Sequence, residues 1–269
     1  MRLALCQLHI EAGETEHNTE RALDAIADAA GRGADLVCLP EIFNLGYFAF
    51  DAYERGAESL SGPTLSRVAD AAREYGVGVL AGSIVEDLAA SSEDGFETPE
   101  ENGLANTSAF FDRTGERRAV YRKHHLFGYE SAEAELLVPG ESLGLASFEG
   151  FETGITTCYD LRFPELYREL AEIGATLILV PSAWPYPRVD HWQLLTRTRA
   201  IENQLFVAAC NGSGVFCDTT LCGRSAVYDP WGEILAETGD EPTTVIVDIE
   251  PSRVEAVREE FPAWHDRRR

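Results

Sequence analysis

The chain of 269 residues is 45% hydrophobic, enough for one large core or two small ones. Aspartate and glutamate total 46 against 22 lysines and arginines, and the formal charge of −24 argues against nucleic acid or an anionic membrane as partner. No apolar run approaches the roughly 18 residues needed to span a bilayer, and the opening MRLALCQLHIEAGE lacks a long apolar stretch ahead of a small-residue cleavage site. The expectation is a cytoplasmic protein whose six cysteines are reduced.

Strand and helix patterns alternate along the chain. Residues 2–8 (RLALCQL) read as a strand, 19–33 as an amphipathic helix ending at glycine, and 34–41 (ADLVCLPE) as a second strand. A second helix over 61–76 has Pro63 near its start. Residues 77–86 (VGVLAGSIVE) read as one strand and 106–122 as a hairpin turning at DRTGE, with the polar, acidic stretch 87–103 between them as an exposed loop.

The pattern resumes with a strand at 153–160 (TGITTCYD), a helix at 164–175, a strand at 176–182, a helix at 190–204 and a strand at 205–211. Strands near 225–228 and 244–249 and a short helix near 252–260 follow, then a basic tail, 263–269, expected to be mobile. No repeat or linker divides the chain, so residues 1–262 are expected to form a single α/β domain, its two strand-rich halves making a pair of packed sheets covered by helices.

Cys158 ends a β-branched strand, and a helix with Pro164 near its first turn follows it. At such a turn a side chain is presented at the sheet's rim, backbone N–H groups can bind an oxyanion, and a helix N-terminus favours thiolate. Cys6 and Cys38 lie inside apolar runs and read as core residues; Cys210, Cys217 and Cys222 sit at or beyond a strand end. A zinc site from Cys217, Cys222, His124 and His125 lacks the close paired spacing of zinc modules, so no metal is expected.

Glu41 ends a buried strand just after Pro40, where an acid is either solvated or a placed general base. Lys123 is the chain's only lysine. One leftover lysine could fall anywhere, but arginine replaces lysine on a surface and not where a compact charge must meet an oxyanion in a tight cavity, so its rarity points to a site of that kind. The lysine-poor, acid-rich composition fits either a salt-rich cytoplasm or GC-rich coding bias. A melting temperature that climbs in molar KCl is expected for the first and a flat response for the second.

Glu41, Lys123 and Cys158, in this order, resemble the nitrilase superfamily of carbon–nitrogen hydrolases. The stretches LPEIFNLGYF (39–48), YRKHHLFG (121–128) and CYDLRFPEL (158–166) carry the likeness. SAWP (182–185), HWQLLTRTRAIENQLFVAACN (191–211) and GRSAVYDPWGEIL (223–235) extend it over nearly the whole chain. The resemblance implies a four-layer αββα sandwich, dimerised through the helices that follow the cysteine strand. It implies Glu41 as general base, Lys123 as oxyanion-stabilising lysine, Cys158 as nucleophile and the Tyr159 N–H as second oxyanion donor. An assisting glutamate precedes a Pro–Gly pair in this family; Glu130, Glu133 and Glu135 are offered before Pro139–Gly140, and counting back favours Glu133.

Tyr47, Phe48, Arg162 and Trp184 lie in matching segments and are candidates to line a substrate pocket; for Arg162 a structural salt bridge is an equal reading. CYDLRFPE with HWQLLTRTRAIENQ is most similar to Nit-type amidases, including ω-amidase, which imply a small amide substrate, a cysteine thioester and no cofactor. N-carbamoyl amino acid hydrolase and nitrilase activity are the near alternatives, and a non-catalytic partner-binding scaffold is the alternative of another class.

Overall fold

The computed structural model describes residues 1–129, 131–216 and 219–268. Six strands open the chain: β1 (Arg2–Gln7), β2 (Leu36–Cys38), β3 (Gly78–Leu80), β4 (Ile84–Asp87), β5 (Leu104–Phe111) and β6 (Arg117–Arg122). Nine follow: β7 (Gly144–Phe148), β8 (Phe151–Ile155), β9 (Leu177–Ser182), β10 (Phe206–Asn211), β11 (Ser213–Phe216), β12 (Thr219–Cys222), β13 (Ala226–Tyr228), β14 (Ile234–Glu237) and β15 (Thr243–Asp248).

One sheet runs β15-β1-β2-β3-β5-β4 with β6 paired to β5, and the other runs β14-β13-β10-β9-β8-β7. β1, β2 and β3 are parallel, as are β8, β9 and β10. Central strands of this kind are covered on both faces and therefore read as continuous apolar runs.

Alternation sorts each strand between two cores. Leu3 and Leu5 point into the space between the sheets, with Leu36, Cys38, Phe110, Leu177, Leu179 and Cys210. Ala4 and Cys6 point outward to Ala22, Ile26 and Ala29 of helix Thr15–Gly31 and to Leu65 and Val68 of helix Pro63–Tyr75. On the far side, Ile178, Val180 and Val207 meet Tyr167 and Leu170 of helix Pro164–Glu172 and Trp192 and Ala200 of helix Val189–Asn203. These are the four layers, helix, sheet, sheet, helix. Leu194 and Ile201 of helix Val189–Asn203, one of the helices that the resemblance assigns to a dimer, stay exposed, as do Ile234 and Leu235. Among the described residues no helix is long and apolar enough to cross a membrane.

Several segments differ from the sequence reading. The first helix starts earlier, at Thr15, because its polar opening is buried: the Asn18 amide exchanges hydrogen bonds with the Glu11 backbone and donates to the Asn44 carbonyl. The acidic stretch 87–103 is not all loop, since Asp87 caps a helix over Leu88–Glu93 by accepting the Ala90 N–H. The strand expected over 77–86 breaks into β3 and β4 at Gly82, which has φ +37° and whose missing Cβ would stand 1.8 Å from the Pro40 carbonyl oxygen. The tail is tied down as far as Arg267, which pairs with Glu172 and lies 3.6 Å from the Trp264 ring.

Candidate active site

Glu41, Lys123 and Cys158 come together where the carboxyl ends of β2, β6 and β8 meet. Glu41 follows β2, and its entry into the site depends on the close crossing of Pro40 over Gly82. Lys123 follows β6; its backbone N–H donates to Asn106 and its carbonyl accepts from Gly140, both at 2.9 Å. A Cβ on Gly140 would come 2.1 Å from the Arg122 carbonyl oxygen, so no other residue fits beside the lysine. Cys158 opens a 3₁₀ turn, Cys158–Arg162, rather than ending a strand as expected; β8 stops at Ile155.

The lysine sits between two carboxylates. Its Nζ donates to Glu41 at 2.8 Å and to both Glu133 oxygens at 2.8 and 3.0 Å, and all three side chains are fully buried. Among the described glutamates before Pro139–Gly140, Glu133 reaches the site and Glu135 is exposed; Glu130 lies outside the described residues. Glu133 also accepts from the Tyr47 hydroxyl at 2.9 Å and the Phe127 N–H at 2.7 Å. The Asn106 amide donates to Glu41 and Glu133 at 2.9 and 3.1 Å, bridging the pair, and the Ala183 N–H donates to the second Glu41 oxygen at 2.9 Å.

Burial lifts the Glu41 carboxyl above its ordinary value; Lys123 opposes that rise and Glu133 adds to it. For Lys123, burial works against the ammonium, but Glu133 and Glu41 reverse it and hold the pKa well above the ordinary lysine value. Burial, reinforced by the Glu41 charge, pushes the Cys158 thiol well up. The arrangement thus sets a thiol beside a carboxyl base and a fixed cation, a set that can pass a proton from sulfur to Glu41 when a substrate arrives.

Cys158 has φ +47°, a left-handed conformation that costs a non-glycine residue about 1–2 kcal/mol. As the first residues of their turn, Cys158 and Tyr159 have no acceptor within it for their own N–H groups, which leaves two donors beside the sulfur. The sulfur opens onto a cleft of about 360 Å³, part of it open to solvent, lined among others by Tyr47, Phe48, Tyr159, Arg162, Trp184 and Arg188. All four pocket candidates named from the sequence line it. The Arg162 guanidinium lies 4.8 Å from the Trp184 ring and 3.3 Å from His191 Nδ1, and Arg188 lies 5.9 Å from the Phe127 ring. Among the described residues neither guanidinium pairs with a carboxylate, so the structural salt bridge considered for Arg162 is not formed there.

Asn106 and Arg188 did not stand out in the sequence. An asparagine inside a β-rich run is unusual and was a usable signal for the first; Arg188, in the loop before a helix, gave none. His124 stacks on Tyr121 and His125 on Phe163. Cys217 lies outside the described residues, and among those described no group of three or more His, Cys, Asp or Glu side chains is arranged to hold a metal ion.

Comparison with known proteins gives this geometry a family. The carbon-nitrogen hydrolase family model matches residues 2–259. The chain belongs to the carbon–nitrogen hydrolase family. This hydrolase is 34% identical over 272 residues to 2-oxoglutaramate amidase of Paenarthrobacter nicotinovorans, covering 99% of this chain and 89% of that one. It superposes on Nit3 of Saccharomyces cerevisiae, a member of branch 10 of the nitrilase superfamily, with TM-score 0.86 at 30% identity, covering 97% and 94% of the two chains. A mutant of the amidase from Nesterenkonia sp. AN1, carrying acrylamide added at its active-site cysteine, superposes with TM-score 0.80 at 32% identity, covering 97% and 98%.

Proposed function

We propose that the chain is an ω-amidase-type enzyme. It hydrolyses the terminal amide of a small acid that also carries a free carboxylate, with 2-oxoglutaramate as the model substrate, and releases ammonia. The observation that carries this reading is the pair of guanidiniums, Arg162 and Arg188, in the cleft beside Cys158 with no carboxylate of their own among the described residues. Burial and the neighbouring Arg188 push the Arg162 guanidinium below its ordinary value, so an anion bound between the two would relieve a standing repulsion. In a chain of formal charge −24, only such a local concentration of positive charge draws an anionic substrate in.

Glu41 takes the thiol proton as the Cys158 sulfur attacks the amide carbon. The Lys123 ammonium and the Tyr159 N–H receive the oxyanion; one such donor is worth about 10²–10³ in rate. Glu41 returns its proton to the departing nitrogen, which leaves as ammonia, and the thioester remains. Water that gives a proton to Glu41 then attacks the thioester carbon, releasing the acid and the thiol. Glu133 holds the lysine in place through the three-way contact with Tyr47 and Phe127.

Ammonia release from 2-oxoglutaramate, butyramide, an N-carbamoyl amino acid and a nitrile tests the reading, in low and high KCl. Arg188→Gln is expected to raise KM for 2-oxoglutaramate about 10- to 100-fold, the worth of one charge-assisted hydrogen bond, and to leave butyramide turnover unchanged. Turnover of the carbamoyl compound alone would move the enzyme to another branch, and equal losses on both amides would remove the carboxylate contact.

The acid limb of kcat/KM is expected to lie above the ordinary carboxylate value of 4.5, because Glu41 must be ionised to act and its pKa is raised. Glu133→Gln removes a charge that raises it, so the limb is expected to move toward lower pH whatever happens to the maximal rate. A limb that stays in place would detach the titration from Glu41.

A further inference from the structure

Asp160 lies two residues beyond Cys158 and is fully buried, yet no lysine or arginine faces it among the described residues. Its carboxylate accepts from two segments only. Oδ2 takes the Thr157 N–H at 2.9 Å and the Tyr121 hydroxyl at 2.6 Å. Oδ1 takes the His125 N–H at 2.9 Å and faces His125 Nδ1 at 2.8 Å. Its own N–H closes the turn onto the Thr157 carbonyl at 3.0 Å. Thr157 immediately precedes the sulfur-bearing residue, whereas Tyr121 and His125 stand two residues before and two after Lys123.

We propose that Asp160 is a positioning residue for the reaction: its carboxylate fastens the turn that holds Cys158 to the segment that holds Lys123, and so sets the spacing between nucleophile and oxyanion cation. This rests on the reading of Cys158 and Lys123 given above. The two segments come from different sheets, since β6 lies in the first and β8 in the second, so backbone pairing does not fix their relative position. The strained φ of Cys158 also needs a clamp, because a left-handed non-glycine persists only where its surroundings over-determine it. Stacking reinforces the fastening: His125 lies on Phe163 with ring centroids 3.7 Å apart, and Tyr121 lies on His124.

The chemistry of the donors makes the proposal testable. In Asp160→Asn one oxygen becomes an NH₂ that confronts the N–H of Thr157 or of His125, neither of which can turn round to accept. Tyr121→Phe removes a single donor without changing the ring. With 2-oxoglutaramate as substrate, Asp160→Asn is expected to lower kcat about 10²-fold, the usual penalty for a misplacement near 1 Å, with KM within about twofold. Tyr121→Phe is expected to fall between this variant and the parent.

Alkylation of Cys158 by iodoacetamide supplies a readout that loss of stability alone does not move. As the thiol parts from Lys123, its pH–rate profile is expected to shift to higher pH in both variants. Parental kcat and alkylation profile in folded Asp160→Asn would overturn the proposal. So would a loss of activity in both variants that merely tracks the fraction unfolded by circular dichroism. If the parent enzyme itself releases no ammonia, or Cys158→Ala still does, the functional reading fails instead.

Discussion

Lys123→Arg is expected to lower kcat/KM about 10³-fold although the charge is retained. The ammonium is a compact donor shared among three carboxylate oxygens at 2.8–3.0 Å with the Tyr47 ring 5.2 Å away, and the side chain is fully buried. A guanidinium spreads the same charge over a flat fork and prefers one carboxylate bidentately, so it would close on Glu133 or Glu41 and leave the oxyanion position unserved. The neighbouring residue shows the contrast. Arg122 points to the opposite side of the strand and grips Glu86 with two bonds of 2.7 and 2.8 Å.

Lys123→Met goes further, because it leaves two buried carboxylates uncompensated at a cost of about 3–5 kcal/mol. The sign of its pH dependence follows. Without the cation, Glu41, already raised, rises further; a group whose folded pKa exceeds its unfolded value contributes stability at low pH and loses it as pH climbs through that raised value. The melting temperature of Lys123→Met should therefore recover on acidification, while activity does not. Parental turnover in Lys123→Arg would remove the oxyanion role.

Cys158→Ala is expected to abolish ammonia release, a loss of at least about 10⁴-fold, with the fold intact. Only the sulfur is deleted, from a position where burial already disfavours its charged form. The alanine keeps the strained φ, so its melting temperature should stay close to the parent's. Cys158→Gly should be inactive and more stable, by about 1 kcal/mol, because glycine adopts φ +47° without penalty. Thermal melts beside the ammonia assay separate the two effects. Residual turnover in both variants would sink the thioester route.

What could be read in advance follows a physical division. Strands buried on both faces announce themselves as apolar runs, and the helices between them by their spacing, which is why the alternating order was legible; the αββα layering came from the family resemblance. Glu41 and Cys158 stand just beyond strand ends, at the turns that follow β2 and β8, and Lys123 was marked by its rarity. The misses are of another kind. Asn18 is a polar residue satisfied in the interior by the Glu11 backbone and the Asn44 carbonyl, and nothing local marks it as buried. The pairing of β11 and β12 joins strands of only four residues each, too short for an alternation to stand out. Arg188 is set by the fold around it, and the choice among Glu130, Glu133 and Glu135 became a geometric one only when Lys123 and Tyr47 were seen to converge on Glu133.

The burial of the one lysine also decides what the outside of the molecule lacks. With Lys123 sealed between Glu41 and Glu133, the folded surface presents its positive charge as guanidinium, imidazole and the Met1 α-amine, and among the described residues no side-chain amine at all. Acylating reagents, reducing sugars and crosslinkers that seek lysine find no side-chain target until the core opens. An amine-directed label counted at Lys123, apart from the Met1 α-amine, therefore becomes a site-specific gauge of unfolding at the centre of the site.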